Sequence, residues 1–333
     1  MDTFEVVRAT RLSHYGLATG GAIVAVLVSM PFWADPGTQH TLIEFLYFLA
    51  LAQTWNLLAG YGGLVSIGQQ AYIGLGGYAL VMLTLKFGLN PFVAVVLSGL
   101  IAGLLAVPTY ALLSRLQGAY FAVGTWVIAD MYRLFLANFS WLGGGSGISI
   151  TEVMQPYEAW WRDSITFWMA VAIGVGSIVA AYLLLRSRHG IGLTAIRDSE
   201  AASESLGVGV WRLKRQVYVV AGAITGMVGA LIFMTKLRVS PDACFSVEWS
   251  ALMIFIVVIG GIGTIEGPIV GTVLYFLLRN LLADYGSVYL IALGSVAVFV
   301  MLKQRSGIWG AIARRFDWRV FPVQRRIRRI SGE

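Results

Sequence analysis

The chain consists mostly of apolar runs that are long enough, or nearly long enough, to cross a lipid bilayer. A transmembrane helix needs about 20 consecutive and mostly apolar residues. Ten such segments follow one another along the sequence, at 15–33, 42–61, 64–86, 91–113, 117–137, 165–185, 216–236, 249–263, 268–284 and 287–303. The sequence therefore predicts an all-α, polytopic membrane protein with nine or ten transmembrane helices.

Composition excludes the other main classes of protein. Apolar residues make up 58% of the chain and charged residues only 12%, whereas a soluble domain carries roughly 25% charged residues. This excludes an ordinary soluble enzyme, a disordered chain and a nucleic-acid-binding domain. Cys244 is the single cysteine, the three histidines form no metal-binding pattern, and no G-x-x-x-x-G-K-[ST] motif is present. We therefore predict no catalytic residue, metal site or cofactor in this chain.

Glycines interrupt two of the apolar segments. The segment 249–263 is short and ends in Gly-Gly-Ile-Gly, which predicts a re-entrant or discontinuous helix. The segment 64–86 is long enough, but it contains four glycines together with Ser66, Gln69 and Gln70. Polar groups are costly against lipid, so this part of the chain is expected to face protein or water.

The basic residues predict the orientation. With ten alternating spans, 18 of the 24 Lys and Arg residues fall on the side that holds both termini, and 4 fall on the other side. Positive residues are retained on the cytoplasmic side, so both termini are predicted to be cytoplasmic. Residues 1–303 then form the transmembrane domain, and 304–333 form a basic tail that suits anionic lipid headgroups better than nucleic acid.

The first apolar run resembles a signal peptide, because Arg8 and Arg11 precede it. It ends at Trp33 without a small-residue cleavage site, so we interpret it as a retained span. Cleavage would instead start the mature chain near Asp35 and remove one span.

The largest predicted cytoplasmic loop, residues 186–215, contains a short helix. Ser199 is a good N-cap, residues 199–206 favour helix, and Gly207 supplies a C-terminal stop. Two interpretations remain open: a docking element for a soluble partner, or a solvated connector.

Residues 195–207 of this loop have the sequence AIRDSEAASESLG. This segment resembles the EAA loop of bacterial ABC-importer permeases, in the form found in the branched-chain amino acid permease family. Further matching motifs occur in the family's order: NLLAGYGGLVSIG at 56–68, GAYFA at 118–122, GGSGI at 144–148, VIGGIGTIEGP at 258–268 and SGIWG at 306–310. The resemblance covers about 40–310 and is to the LivM-like subunit.

The resemblance implies a bacterial inner-membrane importer with several chains. Its partners would be a second, LivH-like permease, two ABC ATPase subunits that bind ATP and Mg, and a periplasmic substrate-binding protein. We call residues 186–215 the docking loop, and the resemblance implies that its ATPase-docking residues are Arg197, Asp198, Glu200, Ala201, Ala202 and Gly207.

A second set of polar or amphipathic residues lies inside the second, third and fifth spans. These candidates for the translocation path are Asn56, Ser66, Gln69, Gln70, Tyr72, Thr125, Trp126, Asp130 and Arg133. Asp130 and Arg133 are three residues apart and so share one helix face, where they can pair. The alternative is that these groups are structural and join helices by hydrogen bonds.

The sequence leaves the identity of the transported solute open. The sequence departs from the family pattern at 123–127, Gln70 and Tyr72, and the family also includes permeases for urea, short amides and aromatic or dicarboxylic acids. The alternative function is a stand-alone secondary transporter or channel. It would need its own coupling-ion site, and the carboxylates within the membrane are few, with Glu44 and Asp130 as the candidates.

Overall fold

A computed structural model describes residues 3–7, 11–282, 288–304, 306–316, 320–321 and 326–330. The ends of two predicted spans, at 283–284 and 287, and parts of the basic tail lie outside these residues. The described chain is almost entirely helical, as predicted. Its first half holds α1 (Arg11–Ser29), α2 (Pro36–Asn56), α3 (Gln70–Val81), α4 (Pro91–Leu113), α5 (Ala119–Ala137), α6 (Thr151–Met154) and α7 (Ala159–Arg186).

The second half begins with two short helices in the docking loop and continues with longer ones. These are α8 (Arg188–Asp198), α9 (Glu200–Ser205), α10 (Val210–Lys236), α11 (Pro241–Cys244), α12 (Val247–Gly260), α13 (Glu266–Leu282), α14 (Val288–Lys303) and α15 (Gly307–Phe316). π-Helical turns extend α2 to Tyr61 and α3 to Lys86.

Four short strands form two antiparallel pairs. β1 (Thr3–Val7) pairs with β4 (Arg326–Ile330) and so brings the two chain ends together. β2 (Ile148–Ser149) pairs with β3 (Arg238–Val239), which joins the segment after α5 to the segment after α10.

Capping residues set where several helices begin. Asp35 precedes Pro36 at the start of α2 and accepts hydrogen bonds from the backbone N–H and the hydroxyl of Thr38, at 2.8 and 2.7 Å. These bonds, that from the Thr38 hydroxyl above all, lower the pKa of the Asp35 carboxyl below its ordinary value. Asn90 caps α4 in the same way, again before a proline.

Six helical segments of the described chain are long and apolar enough to cross a membrane, fewer than the nine or ten predicted. They are Tyr15–Phe32, Pro36–Tyr61, Pro91–Leu113, Ala159–Arg186, Val210–Lys236 and Pro241–Gly260. The segment predicted at 249–263 was expected to be too short, but α11 extends it to 20 residues. Of the other predicted spans, α3 is 12 residues long, α13 and α14 comprise 17 and 16 described residues, and α5 contains Asp130 and Arg133.

The third predicted span, 64–86, is not helical throughout: α3 begins only at Gln70. The backbone before it is held by side chains instead of helical hydrogen bonds. The N–H groups of Ile67 and Gly68 donate to Oγ1 of Thr125, at 3.1 and 3.2 Å, and the indole of Trp55 donates to the Ser66 carbonyl at 2.8 Å. Non-helical backbone at this depth is tolerated where protein supplies such partners.

The core is built around α10, which packs against α3 and α4 through small residues. A Cβ at Gly76 of α3 would clash with the carbonyl oxygen of Gly226 in α10, and one at Gly229 would clash with Ile73. Glycine therefore lets the two backbones touch, as in other closely packed membrane helices.

Candidate functional site

The docking loop forms two consecutive helices, α8 and α9. The hydroxyl of Ser199 accepts a hydrogen bond from the Ala202 N–H at 3.3 Å and so caps α9, as predicted. Gly207 has φ +82°, a left-handed conformation that ends the helix and favours glycine. Residues 188–198 form a separate helix before the cap, which the sequence did not predict.

One face of this loop packs on the bundle and the other is free in the described chain. Leu193, Ile196 and Ser203 are buried. Leu206 is 82% exposed. The six residues to which the family resemblance assigns docking are also exposed: Arg197, Asp198, Glu200, Ala201, Ala202 and Gly207. The loop therefore presents charged, small and apolar groups together on its outer surface.

Two of the exposed charges also contact the protein's own chain. Lys214 Nζ of α10 donates to Oε2 of Glu200 at 2.7 Å. The guanidinium of Arg197 lies against Gly263, in the turn between α12 and α13: a Cβ built at Gly263 would be 2.6 Å from Nη1. Neither contact was predicted, because each joins residues that are far apart in the sequence.

Four of the predicted path residues lie together around the start of α3. Ser66 and Thr125 are buried and bind the backbone of 67–68. Ser250 of α12, which the prediction missed, donates a short hydrogen bond to Oε1 of Gln70. The amide of Gln69 is buried and has no hydrogen-bond partner among the described residues.

The side chains of Asn56 and Tyr72 make other contacts. Both hydrogen-bonding sides of the Asn56 amide are used by the backbone of Gly263 and Thr264. Tyr72 is buried beside Tyr218, with ring centroids 5.7 Å apart. The Asn56 bonds join α2 to the turn between α12 and α13, whereas the buried Tyr72 hydroxyl has no hydrogen-bond partner among the described residues.

The remaining three candidates, Trp126, Asp130 and Arg133, line a cavity of about 470 Å³ between α5 and α11. Its other lining residues are Val127, Asp242, Phe245, Ser246 and Val247. Arg133 pairs with Asp130 at 2.8 Å, as its spacing predicted, and also with Asp242 at 3.0 Å. We call this the α5–α11 cavity.

A second cavity of about 470 Å³ lies where the docking loop meets α5. It is lined by Glu200 and Lys214 together with residues 63–65, 116–119, 121 and 122. We call this the loop-side cavity. α5 thus lines both cavities, through residues 119–122 and 126–133, and Thr125 lies between these two stretches.

The charged side chains of α5 distinguish its exposed face from the other exposed faces. The exposed residues of α4 include Val93, Val96, Leu100, Leu104, Val107 and Leu112, which suit lipid. α5 also exposes Trp126 and Val127, but beside the charged Asp130. Because ionised groups are costly in a bilayer, this face suits water or protein rather than lipid.

A further ion pair joins two other helices. Arg279 of α13 contacts Glu44 of α2 at 2.8 Å, and the Tyr47 hydroxyl donates to the same carboxylate. They line a cavity of about 340 Å³ that shares Asp242 and Ser246 with the α5–α11 cavity. The sequence pointed to Glu44 but not to its partner, which lies 235 residues away.

Comparison with known proteins identifies the family. Residues 37–303 match the family described as branched-chain amino acid transport system / permease component. The high-affinity branched-chain amino acid transport system permease protein LivM of Salmonella typhimurium is 26% identical over 317 residues, covering 86% of this chain and 73% of the relative. The Escherichia coli LivM gives the same figures.

A more distant relative comes from an archaeon. The probable branched-chain amino acid transport permease protein LivM of Methanocaldococcus jannaschii is 23% identical over 278 residues, which is 73% of this chain and 81% of the relative. No solved structure matches significantly. The chain belongs to the permease family of branched-chain amino acid ABC transport systems, and it is therefore a multi-pass membrane transport subunit rather than an enzyme.

Proposed function

We propose that this chain is the LivM-like permease subunit of an ATP-driven importer for amino acids or related small polar solutes. It forms the translocation path with a second, LivH-like permease. Two ABC ATPase subunits bind ATP and Mg, and a periplasmic binding protein delivers the solute. The names of the curated relatives support an amino acid as cargo.

The docking loop is the single observation that carries this proposal. Its helices are anchored to the bundle through Leu193 and Ile196, while the residues between Arg197 and Gly207 are mostly exposed. Charged groups flanking small alanines, with Leu206 protruding, form a surface that suits a protein partner. The ATPase subunits are the occupants that the family membership supports.

The translocation path runs along the exposed face of α5. This helix lines the α5–α11 cavity through residues 126–133 and the loop-side cavity through residues 119–122. Its charged face is costly against lipid, and the second permease completes the path there. Asn56 and Tyr72 serve as structural contacts in this arrangement.

The orientation follows from the basic residues and from the docking partner. The docking loop and both termini face the cytoplasm of a bacterial cell, and the α5–α11 cavity faces the periplasm. A reporter fused after Glu333 tests this, because activity only outside the cytoplasm would contradict it.

The alternative function is a stand-alone secondary transporter. It requires a carboxylate that exchanges protons or ions during transport. Glu44 and Asp130 are each held in an ion pair with an arginine, so each carboxylate already has a cationic partner within the chain. These pairs support the ATP-driven proposal over the alternative.

Co-purification tests the proposal. A tagged form of this chain, co-expressed with the candidate partner genes, is expected to retain the two ATPase subunits and the second permease in mild detergent. Glu200→Lys is expected to release the ATPase subunits while the second permease stays bound. Retention of the second permease alone by the unaltered chain would contradict the docking assignment.

A further inference from the structure

The turn between α12 and α13, residues 261–265, is bound tightly to α2. The Asn56 amide donates to the Thr264 carbonyl at 2.8 Å and accepts from the Gly263 N–H at 2.7 Å. Gln53, one helical turn earlier, donates to the Ile265 carbonyl at 2.9 Å. All three bonds are buried or partly buried, and breaking them would leave backbone groups unpaired, so α2 and the turn are expected to move together.

Arg197 of the docking loop contacts the same turn. A Cβ built at Gly263 would lie 2.6 Å from Nη1 and 3.1 Å from Cζ of Arg197. Gly263 has φ +76°, which favours glycine in any case. Because Gly263 has no side chain, the guanidinium of Arg197 can lie against the backbone that is hydrogen-bonded to Asn56.

Arg197 also lies close to α9, the second helix of the docking loop. It lies in the last turn of α8, one residue before Asp198, and the cap of α9 follows at Ser199. α8 itself packs tightly on its neighbours, because a Cβ at Gly190 would clash with the carbonyl of Leu185 in α7. Only Ser199 separates the end of α8 at Asp198 from the start of α9 at Glu200, so a displacement of α9 acts on the backbone next to Arg197.

We propose that Arg197 is a positioning residue that transmits movement of the docking loop to the turn 261–265 and, through Asn56, to α2. This inference rests on the proposed function, because it assumes that an ATPase moves the docking loop. It assigns Arg197 a role inside the chain, whereas the family resemblance places it at the ATPase contact. Its neighbours Glu200 and Gly207 keep the docking role.

Two glycine substitutions separate the proposed contact from backbone strain. Gly263→Ala introduces a Cβ against Arg197, whereas Gly88→Ala introduces one where no atom lies within 4 Å. The two glycines have similar φ, +76° and +62°. The second variant is therefore a control for the cost of a left-handed alanine.

The experiment uses the complete complex in proteoliposomes, with its binding protein and L-leucine as the probe. Solute carried per ATP hydrolysed is measured for each variant, with co-purification of the ATPase subunits and thermal unfolding as checks. Arg197→Gln and Gly263→Ala are each expected to lower this ratio by about fivefold or more, with normal co-purification. Arg197→Lys is expected to retain part of this ratio, and Gly88→Ala most of it.

The double variant Arg197→Gln/Gly263→Ala gives the sharpest result. If the two residues act through one contact, its ratio equals that of the more impaired single variant; if they act independently, the two losses multiply and the inference is overturned. An unchanged ratio in Arg197→Gln, or loss of the ATPase subunits from that variant, also overturns it. Failure of the unaltered complex to couple uptake to ATP would instead contradict the proposed function.

Discussion

Lys214 of α10 donates a hydrogen bond to Glu200 of α9 at 2.7 Å, and this ion pair joins the exposed helix α9 to the bundle. The Lys214 side chain is 12% exposed and that of Glu200 is 45% exposed. A pair this accessible stabilises the fold by at most about 1 kcal/mol. Its importance therefore lies in fixing the orientation of α9, with one edge of Glu200 left open to a partner.

Reversing the charge of Glu200 tests this orientation. Glu200→Lys places two ammonium groups side by side and is expected to displace α9, so that uptake falls while membrane insertion stays normal. Glu204→Lys, at another exposed position of α9, is the matched control for added positive charge. The swap Glu200→Lys/Lys214→Glu should recover part of the uptake; unchanged uptake in Glu200→Lys alone would refute the role of this pair.

Gly207 should tolerate substitution far less well than Gly209. Gly207→Val forces a β-branched residue to φ +82°, which costs about 1–2 kcal/mol locally and disturbs the end of α9. Gly209 has φ −73°, so Gly209→Val carries no such strain. ATP hydrolysis and uptake should separate in the first variant only, and equal behaviour of the two would contradict the assignment.

Removing the charge of Arg133 should impair the α5–α11 cavity. Arg133→Met leaves Asp130 and Asp242 as unpaired carboxylates beside one another, so uptake is expected to fall while the ATPase subunits remain bound. Arg162→Met is the control, because Arg162 is exposed to a similar extent and pairs with Asp163 at 2.9 Å, but does not line this cavity. Equal uptake in the two variants would show that the cavity is not part of the path.

Gln69 offers a test of where selectivity resides. Its amide is buried without a described partner, so Gln69→Ala removes a polar group beside the start of α3 without breaking a described hydrogen bond. We expect the rate of uptake to change while the order in which competing amino acids inhibit it stays the same. A changed order would place selectivity in this permease as well as in the binding protein.

Close packing of α3 on α10 predicts a large difference between two glycines. Gly76→Ala pushes a Cβ into the Gly226 carbonyl and should destabilise the protein by about 1–3 kcal/mol. Gly20→Ala in α1 adds a Cβ with no atom within 4 Å and should be neutral. Thermal unfolding in detergent measures both, and similar midpoints would contradict the packing.

Local features were the ones that could be predicted from the sequence. The cap at Ser199, the stop at Gly207 and the Asp130–Arg133 pair each depend on residues only a few positions apart. Local chemistry decides such features, because helix caps and i,i+3 pairs form within one or two turns.

Long-range contacts could not be predicted in the same way. Asp242 joins Arg133 across 109 residues, and the sequence gives no signal that links them. The start of α3 was placed six residues early, because apolar character alone does not reveal that Thr125 holds the backbone of 67–68 in a non-helical form. The sequence likewise gives no signal that the Asn56 amide binds the backbone of Gly263 and Thr264, more than 200 residues away.

The central claim is that this chain carries solute only when an ATPase acts on its docking loop. The most direct measurement is L-leucine uptake into proteoliposomes that contain the purified complex. Uptake is compared with and without ATP on the side of the membrane that holds the ATPase subunits. We predict uptake that requires ATP, the binding protein and the ATPase subunits, and that is lost in Glu200→Lys. Uptake by this chain without the ATPase subunits, driven by an ion gradient, would contradict the account.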